Sequence, residues 1–205
     1  MRLSDELLPT GQRLAARVEY HGGHYHGWQA QTHLSVATVQ EEVESALGTV
    51  AGTSVRIVCA GRTDTGVHGF GQIIHFDAPV QRSPKAWCIG ANRYLPADVR
   101  LHWVTPVGAE FHARFSALSR RYRYLVLMTP IRSALIEGLV CWSRQALNLE
   151  PMNVAASALL AKTAAPSEAE IKAAIPNLCR CGVYPRLVRA IERAGRVARR
   201  AETIS

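Results

Sequence analysis

The chain has 205 residues, a formal net charge of +8 at pH 7 and a pI near 9.7. With 48% hydrophobic and 20% charged residues, it is too apolar for a disordered chain and long enough for one or two domains with a buried core. Five cysteines without regular spacing argue against a secreted disulfide scaffold and favour a reducing, cytoplasmic compartment. The basic excess indicates a polyanionic partner, most simply a nucleic acid.

No segment predicts export or membrane insertion. Asp5 and Glu6 stand where a signal peptide needs an apolar run. The longest apolar stretch, near residues 152–161, is far shorter than the about 20 residues that span a bilayer. We therefore expect no membrane partner.

Residues 15–105 carry a regular succession of strand and helix patterns. Thr38 and Glu41 form a capping-box pattern before the first helix, and Ser83 with Pro84 opens the second. The predicted elements are, in order, a strand over 16–20, a helix from residue 39, strands over 55–60 and 72–77, a helix over 84–94 and a strand over 99–104. This order is typical of the split βαβ, or ferredoxin-like, α+β fold.

The remaining sequence divides into two further parts. We take residues 1–105 as the first domain, 106–160 as an incomplete second α+β domain and 161–205 as a helical tail. In the second part, 121–128 predicts a strand and 150–162 a helix. The tail contains nine basic and four acidic side chains and so supplies most of the net charge. Whole-chain charge is therefore weak support for nucleic-acid binding.

The most informative segment is the loop over 61–69, Gly-Arg-Thr-Asp-Thr-Gly-Val-His-Gly, between two predicted strands. Glycines let a loop turn sharply and let a ligand approach its backbone. Arg62 lies two residues from Asp64, and a nearby guanidinium keeps a carboxylate ionised. Such a carboxylate can act as a nucleophile or stabilise an oxocarbenium-like centre. The same pattern also suits a tight turn with a surface ion pair.

Several motifs, in the same order, resemble the tRNA pseudouridine synthase A family over about residues 15–160. The loop over 61–68 is similar to the family's signature, and residues 20–31, Tyr-His-Gly-Gly-His-Tyr-His-Gly-Trp-Gln-Ala-Gln, resemble its first motif. Further resemblances lie at residues 38–41, 90–96, 111–117 and 120–124.

This resemblance implies conversion of uridine to pseudouridine in the anticodon arm of tRNA, at positions 38–40, without a metal or an organic cofactor. Asp64 maps onto the family's catalytic aspartate, which acts as the covalent catalyst. Because the target base must leave the stack, we expect Arg62 to fill the vacated space and pair with Asp64. Tyr122 maps onto the tyrosine that packs on the flipped uracil. The resemblance also implies a homodimer.

A basic cluster of Arg114, Arg120, Arg121 and Arg123 surrounds Tyr122. We expect these arginines to contact RNA phosphates, which position a nucleic acid without reading its sequence. A solvated strand edge would have the same composition. The histidines show no zinc spacing, so no metal site is predicted.

The resemblance to the synthase family ends near residue 160. Residues 155–194 resemble the C-terminal end of the [2Fe–2S] subunit of molybdenum hydroxylases, in which the Cys-x-Cys that maps onto Cys179 and Cys181 holds half of one cluster. A cluster needs four thiolates, and the upstream Cys-x-x-Cys partner is absent, so we expect no complete cluster. We interpret the chain as a hybrid, or as a shortened synthase with a foreign end. Two alternatives stay open, an inactive RNA-binding remnant and an iron–sulfur electron-transfer fragment.

Overall fold

The computed structural model describes residues 3–30, 35–148, 150, 154 and 167. Two α-helices and six β-strands lie in this part of the chain. They are, in chain order, β1 (Arg13–Tyr20), α1 (Val39–Ala51), β2 (Val58–Cys59), β3 (Gly69–Asp77), α2 (Pro84–Tyr94), β4 (Val99–Pro106), β5 (Val126–Met128) and β6 (Cys141–Ser143). Within these same ranges, no helix has the length and apolar character needed to cross a membrane.

The first four strands form one antiparallel sheet in the order β2-β3-β1-β4. In the central strand β1, Leu14, Ala16, Val18 and Tyr20 alternate along the strand and are buried, because every second residue points to the same face. At its end Tyr20 lies opposite Gly69 of β3. The prediction of helices combined with an antiparallel sheet is confirmed, and the six elements follow one another as predicted.

Both helices turn their apolar side chains into the core. Trp87 of α2 is fully buried, and Ser83 caps this helix by accepting a hydrogen bond from the Ala86 N–H at 3.1 Å. The capping box predicted for α1 does not form in its usual way. The buried Thr38 hydroxyl donates to the Glu41 carboxylate and makes no capping bond to a backbone N–H.

The strand predicted over 55–60 is reduced to the two residues of β2. Val55 and Ile57 are buried in the core, which explains the hydrophobic pattern. However, the Ile57 N–H donates to the Glu44 carboxylate of α1 at 3.0 Å, so this part of the backbone is satisfied by a helix side chain and not by a ladder. Val58 and Cys59 pair with β3 at the edge of the sheet, and the Ala60 N–H donates to the Ile73 carbonyl of β3 at 2.7 Å.

The chain forms two compact units, Met1–Leu125 with Ala134–Cys141, and Val126–Ser133 with Trp142–Ser205. Of the strand predicted over 121–128, only β5 is extended, and it pairs with the three-residue strand β6. Residues 121–125, which the prediction included in this strand, are irregular and exposed. Glu150 and Val154 are helical, whereas the other residues of the predicted helix and tail, apart from Ser167, lie outside the described ranges.

Candidate functional site

The loop between β2 and β3 rests on the segment that follows β1. The Trp28 N–H donates to the Thr63 carbonyl at 2.9 Å, and the Gly66 N–H donates to the Tyr25 carbonyl at 3.3 Å. The Tyr20 hydroxyl and the Thr63 Oγ1 lie 2.8 Å apart in a hydrogen bond. Two segments that the sequence separates by some forty residues are thus joined on both sides of Asp64.

Two glycines allow this close contact between backbones. At Gly27 the φ angle is +93°, and an added Cβ would lie 2.6 Å from the Thr63 carbonyl oxygen. At Gly22 an added Cβ would lie 2.1 Å from the Val67 carbonyl oxygen. Both distances are too short for any side chain, so the loop can take this position only because these residues have none.

Asp64 opens a tight turn at the tip of this loop. Its carbonyl accepts a hydrogen bond from the Val67 N–H at 3.2 Å, and Gly66 supplies the positive φ of +76° at the third turn position. The Asp64 side chain is exposed to solvent. Since the residues on either side are anchored by hydrogen bonds, this exposed residue extends from a backbone that is held in place.

A cleft of about 470 Å³ begins beside this loop. We call it the arginine cleft, because its described lining contains Arg62, Arg114 and Arg120 and no acidic residue. The lining comprises Trp28, Gln29, Gln40, Ile57, Val58, Cys59, Ala60, Gly61, Arg62, Arg114, Arg120 and Tyr122. The three arginine side chains can bind an anion such as a phosphate, and the exposed ring of Tyr122 can stack on a planar group attached to it.

The predicted site residues occupy different places around the cleft. Arg62 and Tyr122 line it, whereas Asp64 lies two residues further along the loop, in the turn. The pairing of Arg62 with Asp64 stays a prediction.

The four arginines of the basic cluster also separate. Arg114 and Arg120 line the cleft, while Arg121 and Arg123 are exposed and lie outside its lining. Arg120 donates to the Ala60 carbonyl and to the Arg114 carbonyl, each at 2.7 Å. It thereby connects the cleft's two walls, a structural role that the sequence did not indicate.

A buried histidine supports the segment that carries Arg114. His75 of β3 is 5% exposed, and its Nδ1 accepts a hydrogen bond from the Ala113 N–H at 3.1 Å. Burial, together with nearby His112 and Arg13, lowers the pKa of His75 below its ordinary value, while Asp77 opposes this shift. Neutral His75 is thus the form that fits the folded state.

The lowered pKa predicts a specific dependence of stability on pH. The unfolded chain binds a proton at His75 near pH 6.5, whereas the folded chain does so only at lower pH. The free energy of unfolding should therefore fall as pH drops below about 6.5 and level off beneath the lowered pKa. Urea titrations at several pH values measure this fall. The variant His75→Asn, which keeps an acceptor but cannot titrate, should show a shallower fall, and an unchanged profile would contradict the assignment.

The contact between Tyr20 and Thr63 predicts a coupled pair. Burial raises the pKa of Tyr20, so its hydroxyl stays protonated and can donate. Tyr20→Phe and Thr63→Val should each lower the free energy of unfolding by about 1 kcal/mol. The double variant should lose clearly less than the two together, as chemical denaturation in a double-mutant cycle would measure. Full additivity would show that the hydrogen bond contributes nothing.

The histidine rings near the loop contact one another and bond to backbone groups. His68 Nδ1 accepts from the Gly22 N–H at 3.1 Å, so its Nε2 carries the proton and donates to the Gly138 carbonyl at 2.7 Å. The His21 ring packs edge-on against His68 at 4.3 Å. Across the described ranges, no group of three or more His, Cys, Asp or Glu side chains could hold a metal ion.

The sequence of the chain is similar to those of known proteins. A family model described as tRNA pseudouridine synthase matches residues 16–116. The tRNA pseudouridine synthase A of Methylibium petroleiphilum is 45% identical over 181 residues, which cover 84% of this chain and 69% of the relative. The chain belongs to this family. The proteins of the same name from Dechloromonas aromatica and Albidiferax ferrireducens are 51% and 49% identical over 148 residues, or 72% of this chain. The chain spans 56% of each of these two synthases.

A second family model, described as a [2Fe-2S] binding domain, matches residues 150–192. The resemblance of the tail to an iron–sulfur subunit is thereby confirmed. The matched stretch contains two cysteines, Cys179 and Cys181, whereas a cluster needs four thiolates. Cys59 and Cys88 are buried in the core, and burial raises the pKa of both thiols, which disfavours the thiolate. The donor set of one chain therefore does not fit a complete cluster.

Proposed function

We propose that the chain is a tRNA pseudouridine synthase, which isomerises uridine to pseudouridine in the anticodon arm, at positions 38–40. The observation that carries this proposal is the membership of the synthase A family, combined with an exposed Asp64 on an anchored loop beside the arginine cleft. Since the chain covers only part of the length of its relatives, activity and substrate are proposed here for the chain itself.

The chemistry needs one carboxylate and a place for a flipped base. The C1′–N1 glycosidic bond breaks, the uracil turns, and a C1′–C5 bond forms. C5 then loses its hydrogen as a proton and N1 gains a proton, so substrate and product have the same atoms. Asp64 is the covalent catalyst, which forms an intermediate with the base or the sugar and is then released. Asp64 is exposed to solvent, as a group that attacks an extruded nucleotide must be.

The cleft supplies the groups that hold the RNA. Tyr122 is 67% exposed and offers a face on which the uracil can stack. Arg62 and Arg114 both line the cleft. In this proposal Arg62 occupies the space that the flipped base leaves, and Arg114 binds phosphate. Arg121 and Arg123, outside the cleft lining, would contact phosphates further along the RNA.

We extend the proposal to the fold, the partners and the compartment. The order β2-β3-β1-β4 supports assignment of residues 1–105 to the ferredoxin-like class. Residues 106–160 are proposed as part of a second domain and 161–205 as a tail. The partner is the anticodon stem-loop of tRNA, and the enzyme is expected to act in the cytoplasm as a homodimer. A catalytically inactive RNA-binding protein is the second candidate, favoured by the partial coverage of the relatives.

One assay separates these two functions. The purified full chain is incubated with an anticodon stem-loop that has uridine at positions 38, 39 and 40, and pseudouridine is detected in the recovered RNA by chemical derivatisation and mass spectrometry. We expect product that depends on Asp64. RNA binding without product would contradict the enzyme and support the RNA-binding protein.

A further inference from the structure

Phe115 is a large aromatic side chain that is left in solvent beside the arginine cleft. It is 79% exposed and follows Arg114, which lines the cleft. Its ring stacks on the His112 ring, with centroids 4.3 Å apart and planes inclined by 25°. The Arg114 guanidinium carbon lies 5.7 Å from the Phe115 centroid. Neither neighbour covers the ring, so a face of Phe115 remains available to a ligand.

The backbone under this ring is held by a set of local hydrogen bonds. His112 Nδ1 accepts from the Arg114 N–H at 3.3 Å and from the Phe115 N–H at 3.2 Å. The His112 N–H donates to the Ser116 Oγ at 3.0 Å, and the Ser116 N–H donates to the His112 carbonyl at 2.8 Å. The turn is therefore ordered before a ligand arrives, which lowers the entropy cost of binding.

The chemistry around Phe115 indicates the class of ligand. A flat apolar face stacks on any nucleobase, and the adjacent guanidinium attracts the phosphate that a nucleotide carries. The cleft beside it has three arginines and no acidic side chain in its described lining. A peptide partner could bury the fully exposed Leu118 as favourably as Phe115, because apolar contact does not need an aromatic ring. The ring stack and the charge favour a nucleobase.

We propose that Phe115, held by His112, is a stacking platform for a second unpaired base of the bound RNA, separate from the target uridine. This inference rests on one part of the proposed function, namely that RNA binds in the arginine cleft. One extruded or looped-out base would lie on the open face of Phe115 while its phosphate contacts Arg114.

The test is the affinity of the full chain for a fluorescent RNA hairpin with a seven-nucleotide loop, measured by anisotropy at one fixed salt concentration. Phe115→Ala should weaken binding by about 5- to 100-fold, the range expected for the loss of one base–aromatic stack. Phe115→Trp should bind within about twofold of the wild type. Leu118→Ala, which truncates an even more exposed apolar side chain three residues away, should leave the affinity unchanged. Affinity for a fully paired duplex should be the same for all four proteins.

Each other outcome contradicts the platform. Wild-type affinity in Phe115→Ala, equal losses in Phe115→Ala and Leu118→Ala, or failure of Phe115→Trp to restore binding would each overturn it, and so would a wild-type chain that binds no hairpin. Equal losses would instead indicate an apolar contact with protein. The platform is tested by binding alone. If Phe115→Ala weakens hairpin binding but the wild type forms no pseudouridine, only the proposed enzyme activity is contradicted. Pseudouridine formation without a Phe115 effect would contradict only the platform.

Discussion

Replacing Asp64 by alanine should lower the rate of pseudouridine formation by about a thousandfold or more, as expected when a covalent catalyst is removed. RNA affinity should stay within about twofold, because the side chain is exposed and the turn is closed by the backbone carbonyl of residue 64. Single-turnover assays with excess enzyme measure the chemical step, and anisotropy measures binding.

A second variant and a matched control make this result specific. Asp64→Asn keeps the size and polarity of the side chain but cannot form the covalent intermediate, so it should be as inactive as Asp64→Ala. Asp5→Asn removes an exposed carboxylate from a surface pair with Lys85 and should change neither activity nor stability measurably. Activity above one tenth of the wild type in either Asp64 variant would show that another group performs the reaction.

The fold could be predicted where one periodic segment determines one element. Trp87 and Cys88 of α2, and Leu14, Val18 and Tyr20 of β1, are buried as the spacing of apolar residues requires. The strand predicted over 55–60 was wrong at its first residues, where apolar side chains are buried without forming a strand. Val55 and Ile57 are buried, yet α1 provides the hydrogen-bond partner through Glu44, so an apolar run is not a strand there. A hydrogen bond to a side chain distant in sequence cannot be predicted from the local spacing of apolar residues.

The candidate site residues can be chosen from sequence motifs, but the contacts that hold them in place cannot. Asp64, Arg62 and Tyr122 stand in recognisable motifs, and the cleft brings Arg62 and Tyr122 together. The support from Gly27 and His75 depends on contacts between residues far apart in sequence, at Thr63 and Ala113. A glycine next to a tryptophan gives only a weak signal, because a backbone can approach many glycines and the sequence does not say which segment does so.

Gly27→Ala should show how strongly the position of the loop depends on that contact. The added Cβ would lie 2.6 Å from the Thr63 carbonyl oxygen at a φ of +93°, so both the loop and the alanine backbone must shift. We expect a loss of about 3 kcal/mol in the free energy of unfolding, measured in urea. At a temperature where the variant is still folded, the rate of pseudouridine formation should fall by about a hundredfold, because a displacement of about 1 Å at a reacting group has that effect.

Gly52→Ala separates the steric contact from the backbone conformation. Gly52 has a φ of +71° at the C-terminal end of α1, but an added Cβ there meets no atom within 4 Å. The substitution should therefore cost only the left-handed conformation, about 1 kcal/mol, and leave the rate of pseudouridine formation unchanged. If the two variants lose equal stability and Gly27→Ala keeps its activity, the contact with Thr63 does not position Asp64. If Gly27→Ala loses much more stability than Gly52→Ala, glycine is needed at residue 27 because the two backbones lie so close together there.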